Sequence, residues 1–312
     1  MTADVTVIIV TYNSAAVLGA CLQSLPDDVP ILIVDNGSQD NTRDLALTTR
    51  PDARWIDSGG NLGYGTAANI GLRQVGTPYA FVMNPDVILG QDALNILIQA
   101  AKRHPKAAML GPKVFTPDGA YTPPKPPRFH SDYPLFALPW RKPIKKLRRF
   151  LGVPKKEWSF DPETDNAVGW ILGCTLLLVM DRLAPIITLN TEDQPCWFDE
   201  AIFMYFDEDD LAIRILDAGG EVWWIPQATV THFEGLSSGE KTPESKARYR
   251  KAIDKSRLYM ADKYPDRYSP LARWWWMMKK ERKRALSGHS VTFSEGGTTN
   301  TTLTGRVPPT QF

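Results

Sequence analysis

Residues 5–14 read Val5-Thr6-Val7-Ile8-Ile9-Val10-Thr11-Tyr12-Asn13-Ser14, a β-branched run that breaks directly into polar residues. A near-continuous apolar run of this kind is the pattern of a strand buried on both faces, as in a parallel sheet covered by helices. Ser14 is placed to cap a helix over 14–25, which Pro26 ends. The same unit then repeats. Residues 31–34 are apolar and break at Asp35-Asn36-Gly37-Ser38 before a helix over about 40–49. A third strand over 53–57 leads through a glycine-rich loop, 59–65, into a helix over 66–75. A fourth, over 79–83, ends at Asn84-Pro85-Asp86. Four strand–helix units predict an α/β fold, a doubly wound and mostly parallel sheet flanked by helices, with ligands gathered at the strands' carboxyl ends.

Beyond this core the pattern predicts a helix over 91–104 and a strand over 107–115 that runs into a Pro117-Asp118-Gly119 turn. Residues 121–165 are proline-rich and include a basic stretch, 141–157, with eight Lys or Arg against one Glu. They read as an irregular insertion. Regular patterning returns with a strand over 173–180, a helix over 208–218 closed by Gly219-Gly220, and strands near 221–225 and 228–232. Two further helices, 243–263 and 271–285, follow. The chain thus divides into a sheet domain over 1–240, C-terminal helices over 241–286, and a Ser-, Thr- and Gly-rich tail over 287–312 that is expected to be disordered.

With 312 residues, 43% hydrophobic and 23% charged, the composition is that of a globular protein with one large domain or two small ones. A net charge of +1 gives no reason to expect a nucleic-acid partner. The charge is unevenly distributed. Residues 1–100 hold ten Asp and four Arg but no Lys or Glu, so an acidic front half precedes a back half suited to meeting anions. Cys21, Cys174 and Cys196 form no CxxC pair, which fits a reduced cytoplasmic protein. The N-terminus lacks the basic region and cleavage site of a signal peptide. The longest apolar run, 168–180, is too short for a bilayer core that takes roughly 20 residues. The expectation is a protein that is soluble or bound to a membrane surface.

Polar residues recur where successive strands end: Thr11 and Asn13, then Asp35, then Asn61 and Asn69 among glycines, then Asp86. Parallel geometry brings these to one edge, a rim able to hold a nucleotide and a cation. The glycines at 59, 60, 63 and 65 lack the GxGxxG spacing of a dinucleotide site. Asp207-Glu208-Asp209-Asp210 crowds four acids into the start of a helix. Dipole compensation and an i,i+4 pair with Arg214 account for Asp210. They do not account for four adjacent carboxylates, whose repulsion raises pKa values as a general base requires. Cys174 reads as a small apolar filler.

Taken in order, VTVIIVTYN, VDNGSQDNT, GGNLGYGTAANIGL, NPDV, GWILGC, FDEAIFMYFDEDDLAIR and VTHFEGLSS resemble family 2 inverting glycosyltransferases of the GT-A fold, in their rhamnosyltransferase-like branch. The resemblance covers about residues 4–240. It implies nucleotide binding by Thr11, Tyr12, Asn13, Asp35, Asn61, Gly63, Asn69 and Asn84, with Asp35 accepting from a pyrimidine base. Asn84 stands where many relatives carry the first acid of Asp-x-Asp, which leaves Asp86 as the main metal carboxylate. His232 is the best second ligand for Mg²⁺ or Mn²⁺. Trp170 and Gly173 match the loop lining donor sugar and acceptor. Position points to Glu208 as the base, while the inverted Asp207-Glu208 order leaves Asp207 and Asp209 open.

The implied activity is transfer of a sugar, rhamnose from dTDP-rhamnose in the first instance, to a lipid-linked precursor of a cell-surface polysaccharide such as an O-antigen. A UDP-hexose is the alternative donor. Two other classes stay in view: a catalytically silent nucleotide-sugar or glycan-binding scaffold, and a membrane-surface adaptor. Trp274, Trp275 and Trp276 followed by Met277, Met278, Lys279, Lys280, Arg282, Lys283 and Arg284 have the composition of a segment lying on an anionic membrane surface. The expected location is therefore cytoplasmic, peripherally held at the inner face of the cell membrane.

Overall fold

The computed structural model describes residues 4–124, 160–233 and 243–267, together with Met278. The first half alternates as expected: Val5–Thr11 (β1), Ala15–Gln23 (α1), Ile31–Asp35 (β2), Thr42–Thr49 (α2), Arg54–Asp57 (β3), Tyr64–Leu72 (α3) and Tyr79–Met83 (β4). Next come Val87–Leu89 (β5), Ala93–Arg103 (α4), Ala107–Phe115 (β6), Asn166–Val168 (β7) and Thr175–Val179 (β8). A 3-10 turn at Met180–Ile186 leads to two short strands, Thr188–Leu189 (β9) and Pro195–Cys196 (β10). Asp207–Asp217 (α5), Glu221–His232 (β11) and Pro243–Lys263 (α6) complete the order.

The main sheet runs β3-β2-β1-β4-β8-β6-β11-β5, with β7 also paired to β11. Its front half is parallel, β1 lying between β2 and β4. The rear is mixed, because β8 runs antiparallel to both β4 and β6 while β6 and β11 are parallel. Side chains alternate between two cores. Val7, Ile9, Leu18, Leu22, Leu97 and Val230 fill the face under α1 and α4, and Ile8, Val10, Leu72, Leu176, Leu211 and Trp224 fill the face under α3 and α5. Every residue of β1, β2, β4 and β8 is buried, which is why these strands read as unbroken apolar runs.

Two local expectations are corrected. Ser14 does not cap α1; its Oγ accepts the Tyr12 N–H at 3.2 Å. The two strands expected at 221–225 and 228–232 are one strand, β11, whose register with β6 shifts between Ile225 and Thr229. Pro226 lies in that irregularity, where a missing N–H costs no ladder bond. The three-residue β5 follows Asp86 directly and pairs antiparallel with the end of β11, His232 opposite Val87.

Helix α6 packs on the domain through a small core of Ile202, Phe206, Ile213, Met260 and Ala261. Among the described residues, no helix is long and apolar enough to cross a membrane. Most of the 121–165 insertion with its basic stretch, the 271–285 helix apart from Met278, and the 287–312 tail lie outside the described residues.

Candidate active site

The carboxyl ends of β1 and β2 meet at Thr11 and Asp35, whose side chains bond at 3.0 Å. Ser38 N–H donates to the other Asp35 oxygen at 3.0 Å, and the Ser38 hydroxyl also donates to this carboxylate. Asp35 is thus buried and fixed in orientation, with one lone-pair site left on Oδ2 for a base N–H. Asn13, at φ 51°, accepts the Gln39 N–H through its Oδ1 at 2.7 Å and donates its own N–H to Ser38 Oγ at 2.8 Å. Tyr12 stays exposed beside them.

The glycine-rich loop is organised by Asn36. Its Oδ1 accepts the Leu62 N–H at 2.8 Å, and its Nδ2 donates to Asn61 Oδ1 and to Gly63 O, both at 3.2 Å. At Gly63, φ is 92° and a Cβ would stand 2.4 Å from Phe203 O, so only glycine fits. Asn69 is placed elsewhere. Fully buried, it accepts the N–H groups of Trp197 and Phe198 at 3.0 Å each and donates to Phe198 O and Glu200 Oε1. Its amide is committed to the 197–200 loop and does not reach the nucleotide edge.

Asn84 at the end of β4 donates its N–H to Cys174 O at 2.9 Å, tying the β4–β5 turn to the entry of β8. Two residues on, Asp86 is buried and lies 3.3 Å from His232 Nε2, within ion-pair reach but outside hydrogen-bond geometry. Burial would lower the His232 pKa, yet the adjoining Asp86 carboxylate and Cys174 outweigh it and lift the imidazole to about 10. The buried Asp86 Oδ1, which has no hydrogen-bond partner among the described residues, suits a hard cation, and His232 is the neighbouring donor. No cluster of three ligating side chains occurs among the described residues, so remaining ligands would have to be diphosphate oxygens or water.

The four acids of α5 separate sharply. Asp210 is fully buried and neutralised, with Arg214 Nε at 2.8 Å, Lys263 Nζ at 2.6 Å and Tyr264 OH at 2.6 Å. Asp209 accepts the Trp170 indole N–H at 3.2 Å, and both groups are buried. Asp207 is buried against Gly65, and its Oδ1 finds no hydrogen-bond partner among the described residues. Burial and then the Glu208 charge push its carboxyl well above the ordinary range, against smaller opposing pulls from the backbone at Asp207 and Gly65. Only Glu208 is half-exposed, and it lies over Gly173.

Tyr64 is a site residue that sequence reasoning missed. Its hydroxyl reaches Gly173 O at 3.5 Å. Burial, then the charges of Asp207, Cys174, Glu208 and Asp86, hold its pKa well above the ordinary tyrosine value, so it stays a neutral donor. Its position inside Gly63-Tyr64-Gly65 was the available signal. Asp86, His232, Tyr64, Gly173 and Glu208 thereby surround the entry of β8, with Thr11 and Asp35 at the ends of β1 and β2, two and three strands along the sheet.

The fold is similar to that of the S. aureus TarS fragment 1–349 solved with UDP. The TM-score is 0.50 at 15% identity, covering 82% of this chain and 65% of that one. The fold is the GT-A architecture of glycosyltransferases. The sequence profile of Glycosyl transferase family 2 matches residues 6–157. Over 298 residues the chain is 30% identical to an N-acetylglucosaminyl-diphospho-decaprenol L-rhamnosyltransferase of Mycobacterium tuberculosis strain H37Rv, covering 88% of this chain and 89% of the relative. It is 23% identical over 215 residues to the low-salt glycan biosynthesis hexosyltransferase Agl10 of Haloferax volcanii, covering 68% of this chain and 61% of the relative. The chain belongs to glycosyl transferase family 2.

Proposed function

We propose that this glycosyltransferase inverts configuration while transferring rhamnose from dTDP-rhamnose to a lipid-linked, N-acetylglucosamine-bearing precursor of a cell-surface polysaccharide. The observation that carries the reading is the entry of β8. Asn84 and the Asp86–His232 pair lie beside Cys174, and Glu208 lies over Gly173, so a diphosphate side and an acid side flank one short backbone segment. The mycobacterial relative, an N-acetylglucosaminyl-diphospho-decaprenol L-rhamnosyltransferase, supports the choice of sugar and acceptor.

In this reading Thr11 and Asp35 hold the thymine base and Tyr64 donates a hydrogen bond near the reacting centre. Glu208 takes the proton of the acceptor hydroxyl as its oxygen bonds to C1 and the C1–diphosphate bond breaks on the opposite face. Asp86 and His232 would hold Mg²⁺ or Mn²⁺, which when bound supplies positive charge to the departing diphosphate. Without a cation the His232 imidazolium supplies charge at the same place. Association with the inner membrane face, through the basic and Trp-rich segments, would keep the site near its lipid-linked acceptor.

The test is a thermal-shift panel of dTDP- and UDP-sugars with and without Mn²⁺, followed by transfer to a polyprenyl-diphospho-N-acetylglucosamine acceptor and anomeric analysis of the product. Stabilisation by dTDP-rhamnose and an inverted linkage are expected. Stabilisation by UDP-hexoses alone would overturn the donor, and a retained configuration the mechanism.

A further inference from the structure

Tyr205 at φ 62° and Phe206 at φ 72° stand consecutively in the left-handed region immediately before the acids of α5. An L side chain is sterically disfavoured there, and two non-glycine residues in succession hold the conformation only if their surroundings impose it. No side-chain cap secures the start of α5. The constraint comes from helix α6.

Contacts from α6 fall on the turn's approach, middle and exit. On the approach, Asp199 accepts from Tyr259 OH at 2.7 Å and pairs with Lys263. In the middle, the buried Ser256 Oγ donates to Met204 O at 2.8 Å. At the exit, the same Lys263 ammonium bonds Asp210 Oδ1 at 2.6 Å. Phe206 is packed beneath with Met260 and Ala261, and from the opposite side Tyr64 N–H holds Phe203 O at 3.1 Å.

We propose that α6 is the positioning element of the catalytic turn and that Ser256 is its principal positioning residue, acting on Glu208 through the Met204 carbonyl. The proposal rests on the reading of Glu208 as base. With the Met204 carbonyl released, Tyr205 and Phe206 can relax toward the right-handed region. The first turn of α5 then rotates and carries Glu208 away from Gly173.

The experiment uses the full-length chain and transfer to polyprenyl-diphospho-N-acetylglucosamine, with Glu208→Gln as reference. Ser256→Ala is expected to lower kcat about tenfold with the donor KM within twofold of wild type. Ser256→Cys, nearly isosteric and a weaker donor, should fall between them, and it keeps the comparison readable if the alanine variant does not fold. Asparagine tolerates the left-handed region better than tyrosine. In a Tyr205→Asn background, relative to that variant alone, the loss from Ser256→Ala should therefore shrink to about twofold. An equal loss in both backgrounds would make Ser256 a stability residue only and overturn the proposal. Wild-type kcat in Ser256→Ala with an inactive Glu208→Gln overturns the positioning role alone. An active Glu208→Gln overturns the base assignment, and this proposal with it.

Discussion

Glu208 lies directly across Gly173, so close that a Cβ at position 173 would stand 2.9 Å from Glu208 Cδ and 3.2 Å from its Cβ and Cγ. The absent side chain leaves the space the acid occupies. Gly173→Ala must displace Glu208, and misplacing a reacting group by about 1 Å can cost on the order of 10²-fold in rate. Transfer by Gly173→Ala should fall by about that factor while dTDP-rhamnose still stabilises the protein in thermal shift. Wild-type transfer would show that Glu208 does not need this position.

Glu208→Gln keeps the shape and removes the proton acceptor. Donor binding should survive while transfer drops by about 10²-fold or more. The buried neighbours give the control: Asp209 is occupied by Trp170 and Asp210 by Arg214 and Lys263. If Asp207→Asn were inactive and Glu208→Gln silent, the base would be one residue earlier.

Asp207 has a different predicted signature, in stability. Its folded-state pKa is raised, by burial first and by Glu208 second. Below the ordinary carboxylate pKa of about 3.9 both folded and unfolded forms bind the proton and the group contributes nothing. As pH rises past that value the unfolded chain ionises while the native state resists, so stability is lost until the raised folded pKa is passed. Asp207→Asn removes this loss. Its Tm should exceed wild type at pH 7–8, by about 2–4 °C for each kcal/mol recovered, and converge with it near pH 4. A variant less stable at neutral pH would mean that the charged carboxylate is being satisfied.

Why some of this was readable in advance and some was not follows from the range of the interactions. The strands of the front half declare themselves because burial on both faces forces an unbroken β-branched run, as in Val5–Thr11. The short β5 carries too few residues for any period, and Pro226 makes one strand look like two. Thr11 and Asp35 could be paired from strand order alone, since both close neighbouring parallel strands. Asn69 could not be separated from the nucleotide residues, because its partners lie some 130 positions later, at Trp197 and Phe198. In sequence the spacing to Arg214 set Asp210 apart and position pointed to Glu208 as base, with Asp207 and Asp209 left open. What distinguishes them is which neighbour each meets, and the neighbours come from α3, α6 and the loop before β8.

The two halves of the donor site should respond differently to metal. Asp86→Ala leaves His232 without its carboxylate, and no third ligating side chain clusters there among the described residues. The Mn²⁺-dependent part of donor binding should vanish in this variant while metal-free nucleotide binding persists. Asp35→Ala should weaken dTDP binding with or without Mn²⁺, by about 1.5–3 kcal/mol, because it removes a charged acceptor from the base. Calorimetric titrations of both variants, each with and without Mn²⁺, check this. Equal losses in all four would merge the two subsites.

Removing residues from 271 onward leaves α6 with Ser256, Lys263 and the pair between Arg267 and Asp217 in place. The truncated chain should therefore fold and bind donor as the full chain does. Its activity on a polyprenyl-linked acceptor in anionic vesicles should nevertheless fall. The deletion removes three consecutive Trp and the five Lys and Arg that follow them, a combination of apolar insertion and electrostatic attraction worth about 1 kcal/mol per basic residue near an anionic surface. Binding of the full chain should weaken as salt rises, since screening limits the charges' reach to about 8 Å at physiological ionic strength. Equal co-sedimentation of full-length and truncated protein with anionic vesicles at low salt would remove the membrane role from this segment. Loss of folding in the truncation would instead make the segment part of the brace that α6 begins.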